Sequence, residues 1–210
     1  MLISYRKKFI FFHLPKAAGS SIEGALRKYS HIPSTRLYNY MIDYLGERPA
    51  LNLFERHIRP ERLKSFKPML FDGAFYKFAV VRNTWDWHCS QYYFHKNTKG
   101  TVFHEGLKDM NFSEYVEWAT LEDNIQRANS RQKRYLSDNQ GNLLVDKVLM
   151  FNQLASEFSV LCRELGAVAN LQVKNKSQRN RSYRENYSQK DKLKIEKAHQ
   201  EDIDFFGFSF

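Results

Sequence analysis

Residues 14 to 21 read Leu-Pro-Lys-Ala-Ala-Gly-Ser-Ser, and they put one mobile positive charge, three small residues and two hydroxyls into eight positions. Ala17, Ala18 and Gly19 let main chain approach a ligand closely. Lys16 adds a cation, and Ser20 and Ser21 add hydroxyl donors. That combination suits an oxyanion, and phosphate above all if the stretch opens a helix, whose first N–H groups and positive dipole end face the ligand. A second stretch, Val-Val-Arg-Asn-Thr-Trp-Asp-Trp-His-Cys-Ser, sets Arg82 and Ser90 eight residues apart. A guanidinium gives phosphate a forked, charge-assisted contact, and a serine adds one more hydrogen bond. By themselves, Arg82 and Ser90 read more simply as a salt-bridged arginine and a helix serine.

These side chains need elements to hold them. Residues 9 to 13 and 76 to 81 are short apolar runs without alternation, as in strands buried on both faces of a parallel sheet. A helix signal follows each. After the first run, Ile22, Ala25, Leu26 and Tyr29 fall at helical spacing, with Ser20 or Ser21 as the expected N-cap. After the second, Thr84 is the expected cap and Asp86 stands in the first turn, where a carboxylate suits the dipole. A third strand is expected at 143–151, followed by a helix capped by Asn152 and ended by Gly166, with Leu154, Phe158, Leu161, Cys162 and Leu165 as its core face. Helices at 111–119 and 190–203 complete the layers. Strands alternating with helices predict an α/β fold, a three-layer α/β/α sandwich around a central parallel sheet. In such sheets ligands gather at the carboxyl ends of the strands, where residues 14 to 21 fall.

The chain has 210 residues, enough for one domain with a sizeable core and too few for two comfortable ones, so residues 1–210 are expected to form a single domain. No run is long and apolar enough for a membrane span. Arg6, Lys7 and Lys8 precede an apolar run, but that run ends in Pro-Lys after six residues, short for a signal peptide. With only Cys89 and Cys162, no disulfide framework is expected, and a cytoplasmic setting follows. The net charge of +10 and pI near 9.5 favour an anionic ligand without naming it. The densest charge lies in residues 174 to 186, where the first eight positions hold four lysines and arginines and predict a basic loop.

The loop departs from the G-x-x-x-x-G-K-[ST] pattern of nucleoside triphosphatases, whose lysine directly precedes the magnesium-binding hydroxyl. Here Lys16 stands three residues before Gly19. Strand-Pro-Lys-x-x-Gly-Ser-Ser instead resembles the 5′-phosphosulfate loop of the P-loop-type sulfotransferases that use 3′-phosphoadenosine 5′-phosphosulfate (PAPS). The stretch from Phe78 to Tyr93 resembles their 3′-phosphate site, a strand-terminal arginine with a serine eight residues later. Thr84 stands where that family commonly has proline, and Trp87 where it commonly has arginine. The regions 131–166 and 175–208 resemble the middle and C-terminal segments of the carbohydrate, bacterial or Golgi-like branch.

The resemblance implies a PAPS-dependent sulfotransferase acting on a hydroxyl, with a saccharide or glycolipid as acceptor and adenosine 3′,5′-bisphosphate (PAP) as product. Its nucleotide-binding residues map to Lys16, Ala17, Ala18, Gly19, Ser20, Ser21, Arg82 and Ser90. In the C-terminal segment Ser182, Tyr183 and Arg184 are expected near the adenine or the 3′-phosphate. Lys16 also faces the charge that grows on the 5′-phosphate as the sulfur–oxygen bond breaks, so no metal is expected. The acceptor hydroxyl needs a general base near neutral pKa. The chain has seven histidines, and His57, between the two phosphate motifs, resembles the family's histidine. Glu55 is the alternative. His13 is expected to pack or to support the site from behind, and His88 to face outward. Tyr92, Tyr93 and Phe94 could line a sugar cleft or belong to the core. Two rival readings remain: a P-loop kinase, and a non-enzymatic basic module binding nucleic acid. Acceptor identity and oligomeric state are not legible.

Overall fold

A computed structural model of the chain describes residues 1–30, 57–172 and 182–210. The chain divides into two compact units, Met1–Val80 with Leu136–Lys174, and Val81–Tyr135 with Asn175–Phe210.

The first unit carries the sheet, ordered β1-β2-β3-β4 from Leu2–Ser4, Phe9–Phe12, Tyr76–Val81 and Lys147–Met150. β2 and β3 run parallel, with Phe9 opposite Tyr76 and Phe12 opposite Ala79. Every side chain of β2 is buried, which is why its sequence reads as an unbroken apolar run rather than an alternating one. Phe11 and Phe78 hold the strand pair together with ring centroids 5.2 Å apart. β1 is an antiparallel edge, pairing Leu2 with Phe11 and Ser4 with Phe9, so the sheet is parallel at its centre and mixed at its edge. The turn between β1 and β2 contains Lys8 at φ 52° and is tied by the Lys7 N–H donating to Ser4 Oγ at 3.2 Å.

Two helices of this unit bury the faces that the apolar spacing marks. Gly19–Leu26 buries Ile22 and Leu26, and Leu154–Glu164 buries Leu154, Phe158, Leu161 and Cys162. A 3-10 turn, Phe151–Gln153, precedes the second helix, so its N-cap is Gln153 rather than Asn152. Gly166 follows at φ 56°, the left-handed conformation expected just past a helix end.

The second unit is helical. Its core joins Trp85 and Tyr92 of the helix Thr84–Asn97 to Leu107, Tyr115 and Val116, and to Ile195 and Ile203 near the C-terminus. Phe112–Ala119 matches expectation and starts with a capping box, Asn111 accepting from the Glu114 N–H at 3.0 Å. The expected C-terminal helix is instead two, Gln189–Ala198 and Gln200–Phe206, broken at His199. Asp202 explains part of that geometry. Its carboxylate accepts from the main-chain N–H groups of Gln132 and Lys133 at 2.7 and 2.8 Å, capping the helix Gln132–Leu136 from a distance.

Candidate functional site

The stretch after β2 turns tightly before the first helix starts. Lys16 lies at φ 59° and Ala18 at φ 56°. Left-handed backbone on a residue with a Cβ costs on the order of 1–3 kcal/mol and persists only where surrounding structure enforces it. The helix cap is Ala18, not Ser20 or Ser21. Its carbonyl takes the first helical bonds, from the N–H groups of Ser21 at 2.9 Å and Ile22 at 3.2 Å. Both serines therefore sit in the first turn, where their main-chain N–H groups belong to the positive end of the helix. Ala17 and Gly19 are buried, while Lys16, Ala18 and Ser20 are half-buried at the rim.

Gly19 has a specific reason to be glycine. A Cβ there would overlap the imidazole of His13. That ring is 4% exposed, and its Nδ1 lies 2.9 Å from Glu23 Oε1 on the first helix. Glu23 also pairs with the Met1 amine at 3.4 Å. Burial holds the His13 pKa down to about 4 from the ordinary 6.5, against the opposing pull of the Glu23 hydrogen bond and charge. His13 is thus neutral at pH 7, with Nδ1–H donating to the carboxylate.

His57 stands over this layer. Its Nδ1 is 2.8 Å from the main-chain oxygen of His13, and the two rings meet edge to face with centroids 4.6 Å apart. A carbonyl oxygen only accepts, so Nδ1 of His57 carries the proton and the basic lone pair of the neutral ring is on Nε2. His57 is exposed, as a group exchanging protons with a ligand must be. Glu55 lies outside the described residues.

A cavity of about 340 Å³ opens beside the first helix, lined by Ser21, Gly24, Ala25 and Lys28, and across from them by Asn170 and Gln172. Val168 also lines it, and its carbonyl accepts from the Tyr29 hydroxyl at 3.1 Å. Sequence reasoning missed this cavity; the small residues at helical spacing, Ser21, Gly24 and Ala25, were its only mark.

In the second unit Arg82 follows directly on β3 and is 6% exposed. Gln132 clamps its main chain from both sides, accepting from the Arg82 N–H at 2.8 Å and donating to the Arg82 carbonyl at 2.7 Å. The Arg82 Nε donates to Asp86 Oδ2 at 2.6 Å. The simple reading of a salt-bridged arginine is therefore correct as far as Nε goes, and the pair fixes the plane of the guanidinium. Asn83, not Thr84, caps the helix, accepting from the Asp86 N–H at 3.3 Å. Ser90 is buried in the second turn of that helix.

The C-terminal chain is fastened to the same helix. Tyr187 donates to the Trp85 carbonyl at 2.8 Å, Trp85 Nε1 to the Lys192 carbonyl at 3.1 Å, and Asn83 Nδ2 to the Ser209 carbonyl at 2.8 Å. Ser182 and Arg184 are exposed and Tyr183 half-buried, with the Arg184 guanidinium 4.8 Å above the Tyr183 ring. Most of the basic stretch before them lies outside the described residues.

His88 does not face outward. It is 1% exposed, with Nδ1 3.0 Å from the Tyr115 hydroxyl and Nε2 2.9 Å from His199 Nε2. Tyr92 is core, and its hydroxyl donates to the Met110 carbonyl at 2.9 Å. Tyr93 donates to Asn186 Oδ1 at 2.6 Å, and Phe94 is 40% exposed. Among the described residues no group of three or more histidine, cysteine, aspartate or glutamate side chains is arranged to hold a metal.

No family model matches the chain, and no curated protein matches it in sequence. Its fold does match. The crystal structure of mouse sulfotransferase SULT7A1 complexed with PAP superimposes with a TM-score of 0.55 at 11% sequence identity, covering 96% of this chain and 85% of that one. The chain therefore has the α/β fold of the sulfotransferases, a central four-stranded sheet flanked by helices.

Proposed function

We propose that this protein transfers a sulfuryl group from PAPS to a hydroxyl of a saccharide or glycolipid. One observation carries the reading: the anion loop and the tie that orients His57 both begin at the carboxyl end of β2, within a few residues of each other. The sulfotransferase fold supports it, and so does the strained backbone at Lys16 and Ala18, a cost that an anion cradle would explain.

In this reading Lys16 and the N–H groups of residues 17 to 20 hold the 5′-phosphate end of the nucleotide, with the Ser20 and Ser21 hydroxyls as further donors. Arg82 and Ser90 hold the 3′-phosphate. The cavity beside Ser21 takes the adenine, and Ser182, Tyr183 and Arg184 belong to the segment that closes over the nucleotide. The donor supplies an activated sulfuryl group and a phosphate leaving group. Nε2 of His57 takes the proton as the acceptor O–H bond breaks. That oxygen's electron pair forms the new bond to sulfur, and the pair of the breaking sulfur–oxygen bond passes to the 5′-phosphate. Lys16 meets this growing charge, so it stabilises the transition state more than the bound donor. Glu55 is the alternative base.

Cys89 and Cys162 are unbridged, and among the described residues no helix is long and apolar enough to cross a membrane. Both features accord with the cytoplasmic setting that we propose.

The test is transfer of labelled sulfate from PAPS to a panel of saccharide and glycolipid acceptors. We expect PAPS-dependent labelling that His57→Ala abolishes while PAP affinity is kept. Retained transfer in that variant would move the base to Glu55, and ATP turnover without sulfate transfer would replace the reading with a kinase.

A further inference from the structure

We infer that His13 and Glu23 are positioning residues for His57: the Glu23 carboxylate, the His13 imidazole and main-chain carbonyl, and the His57 imidazole form one ordered relay behind the anion loop. The inference rests on the reading of His57 as the proton acceptor.

The sequence of contacts is continuous. Glu23 Oε1 is 2.9 Å from His13 Nδ1. The His13 ring fills the space above Gly19 that any Cβ would take, and the main-chain oxygen of His13 is 2.8 Å from His57 Nδ1. Holding the imidazole of His13 holds its carbonyl, because ring and carbonyl belong to one residue wedged between β2 and the first helix. The carbonyl then selects the Nδ1–H tautomer of His57 and leaves the basic lone pair on Nε2.

The relay has an electrostatic part. When Nε2 of His57 takes a proton, the new positive charge lies one imidazole away from the Glu23 carboxylate, across ring centroids 4.6 Å apart. His13 transmits this without competing for the proton, since burial keeps it neutral. Among the described residues the charged groups near the relay include the Met1 amine at Glu23 and Arg59, two positions after His57, which pairs with Glu61 at 3.8 Å. The Glu23 carboxylate is buried on the first helix and faces both the Met1 amine and the His13 ring. Its placement against a histidine beneath a second histidine gives it a use.

Nitrogen-15 NMR of the imidazoles in the intact protein tests this without needing an acceptor, with His57→Ala and His13→Asn used to assign the signals. In wild type His57 is expected to be protonated on Nδ1 when neutral. Glu23→Gln keeps an acceptor for His13 but removes the charge, and should lower the His57 pKa by about half a unit, the scale of one partly screened charge several ångströms away. Glu23→Asp, which keeps the charge, should return most of the shift. The acid limb of the transfer rate should move with it, while PAP affinity stays unchanged. An unchanged His57 titration in Glu23→Gln, or an Nε2–H tautomer in wild type, overturns the inference. If the NMR shifts appear and wild type transfers no sulfate, the relay stands and the proposed reaction falls.

Discussion

The main-chain oxygen of His13 accepts a hydrogen bond from Nδ1 of His57 at 2.8 Å, so the residue that follows β2 orients a histidine 44 positions further along the chain. From that relationship the turn at Lys16 and the base candidate share one anchor, and disturbing the anchor should disturb both.

Gly19→Ala tests the anchor sterically. The added methyl would overlap the His13 imidazole, whose tie to Glu23 leaves it little room to move. Forced overpacking of this kind costs about 1–3 kcal/mol. A thermal or urea melt should show that loss, together with weakened PAP binding. Wild-type stability would mean that the ring yields without cost, and that His13 is not held as described.

Gln132→Ala tests how Arg82 is placed. Gln132 is 1% exposed and satisfies both main-chain polar groups of Arg82. Removing it strands a buried N–H and a buried carbonyl, a loss of about 2–4 kcal/mol for the two groups. The urea midpoint should fall, and PAP affinity with it if Arg82 binds the nucleotide. An unshifted midpoint would show that water or a neighbouring group replaces the amide.

Stability should decline on mild acidification. Burial holds His13 to about 4 and His199 to about 3, each from 6.5, and pushes His88 down as well. The unfolded chain therefore binds more protons than the folded one below pH 6.5. The stability due to these neutral rings is complete above that pH and is lost as the pH falls toward about 4. Asp202 acts in the opposite sense: burial raises it to about 6 from 3.8, so its contribution is present at low pH and is lost as the pH rises through about 6. Three imidazoles outweigh one carboxylate. Urea midpoints measured between pH 7 and about 5 should drop by the equivalent of a few kcal/mol. A flat or rising profile would contradict the neutral burial of these rings.

Much of the fold is legible in the sequence. β2, β3 and the helices after them follow from apolar runs and helical spacing. β1 was not legible, because three residues show no period. The His199 break escaped notice for a different reason: Ile195 and Ile203 are both buried, and their spacing continues a helical face straight across the interruption. The expectation that His88 faces outward fails because it supposes an outward face for its helix. Residues 84 to 92 are buried without exception, so that stretch has no outward face. Glu23 left one mark, a carboxylate between Ile22 and Leu26 on a buried face, and Gln132 left none, since its partner Arg82 is 50 residues away.

The central proposal is that the protein binds one bisphosphorylated adenosine nucleotide, with Lys16 and Arg82 among the residues that hold it. Calorimetric titration with PAP, in wild type and in Lys16→Ala and Arg82→Ala, tests it most directly. The account predicts one site per chain in wild type, a marked loss of affinity in Arg82→Ala, and a smaller loss in Lys16→Ala, whose main deficit is turnover, of order 100-fold or more. Absence of binding in wild type, or affinity unaffected by Arg82→Ala, would contradict it.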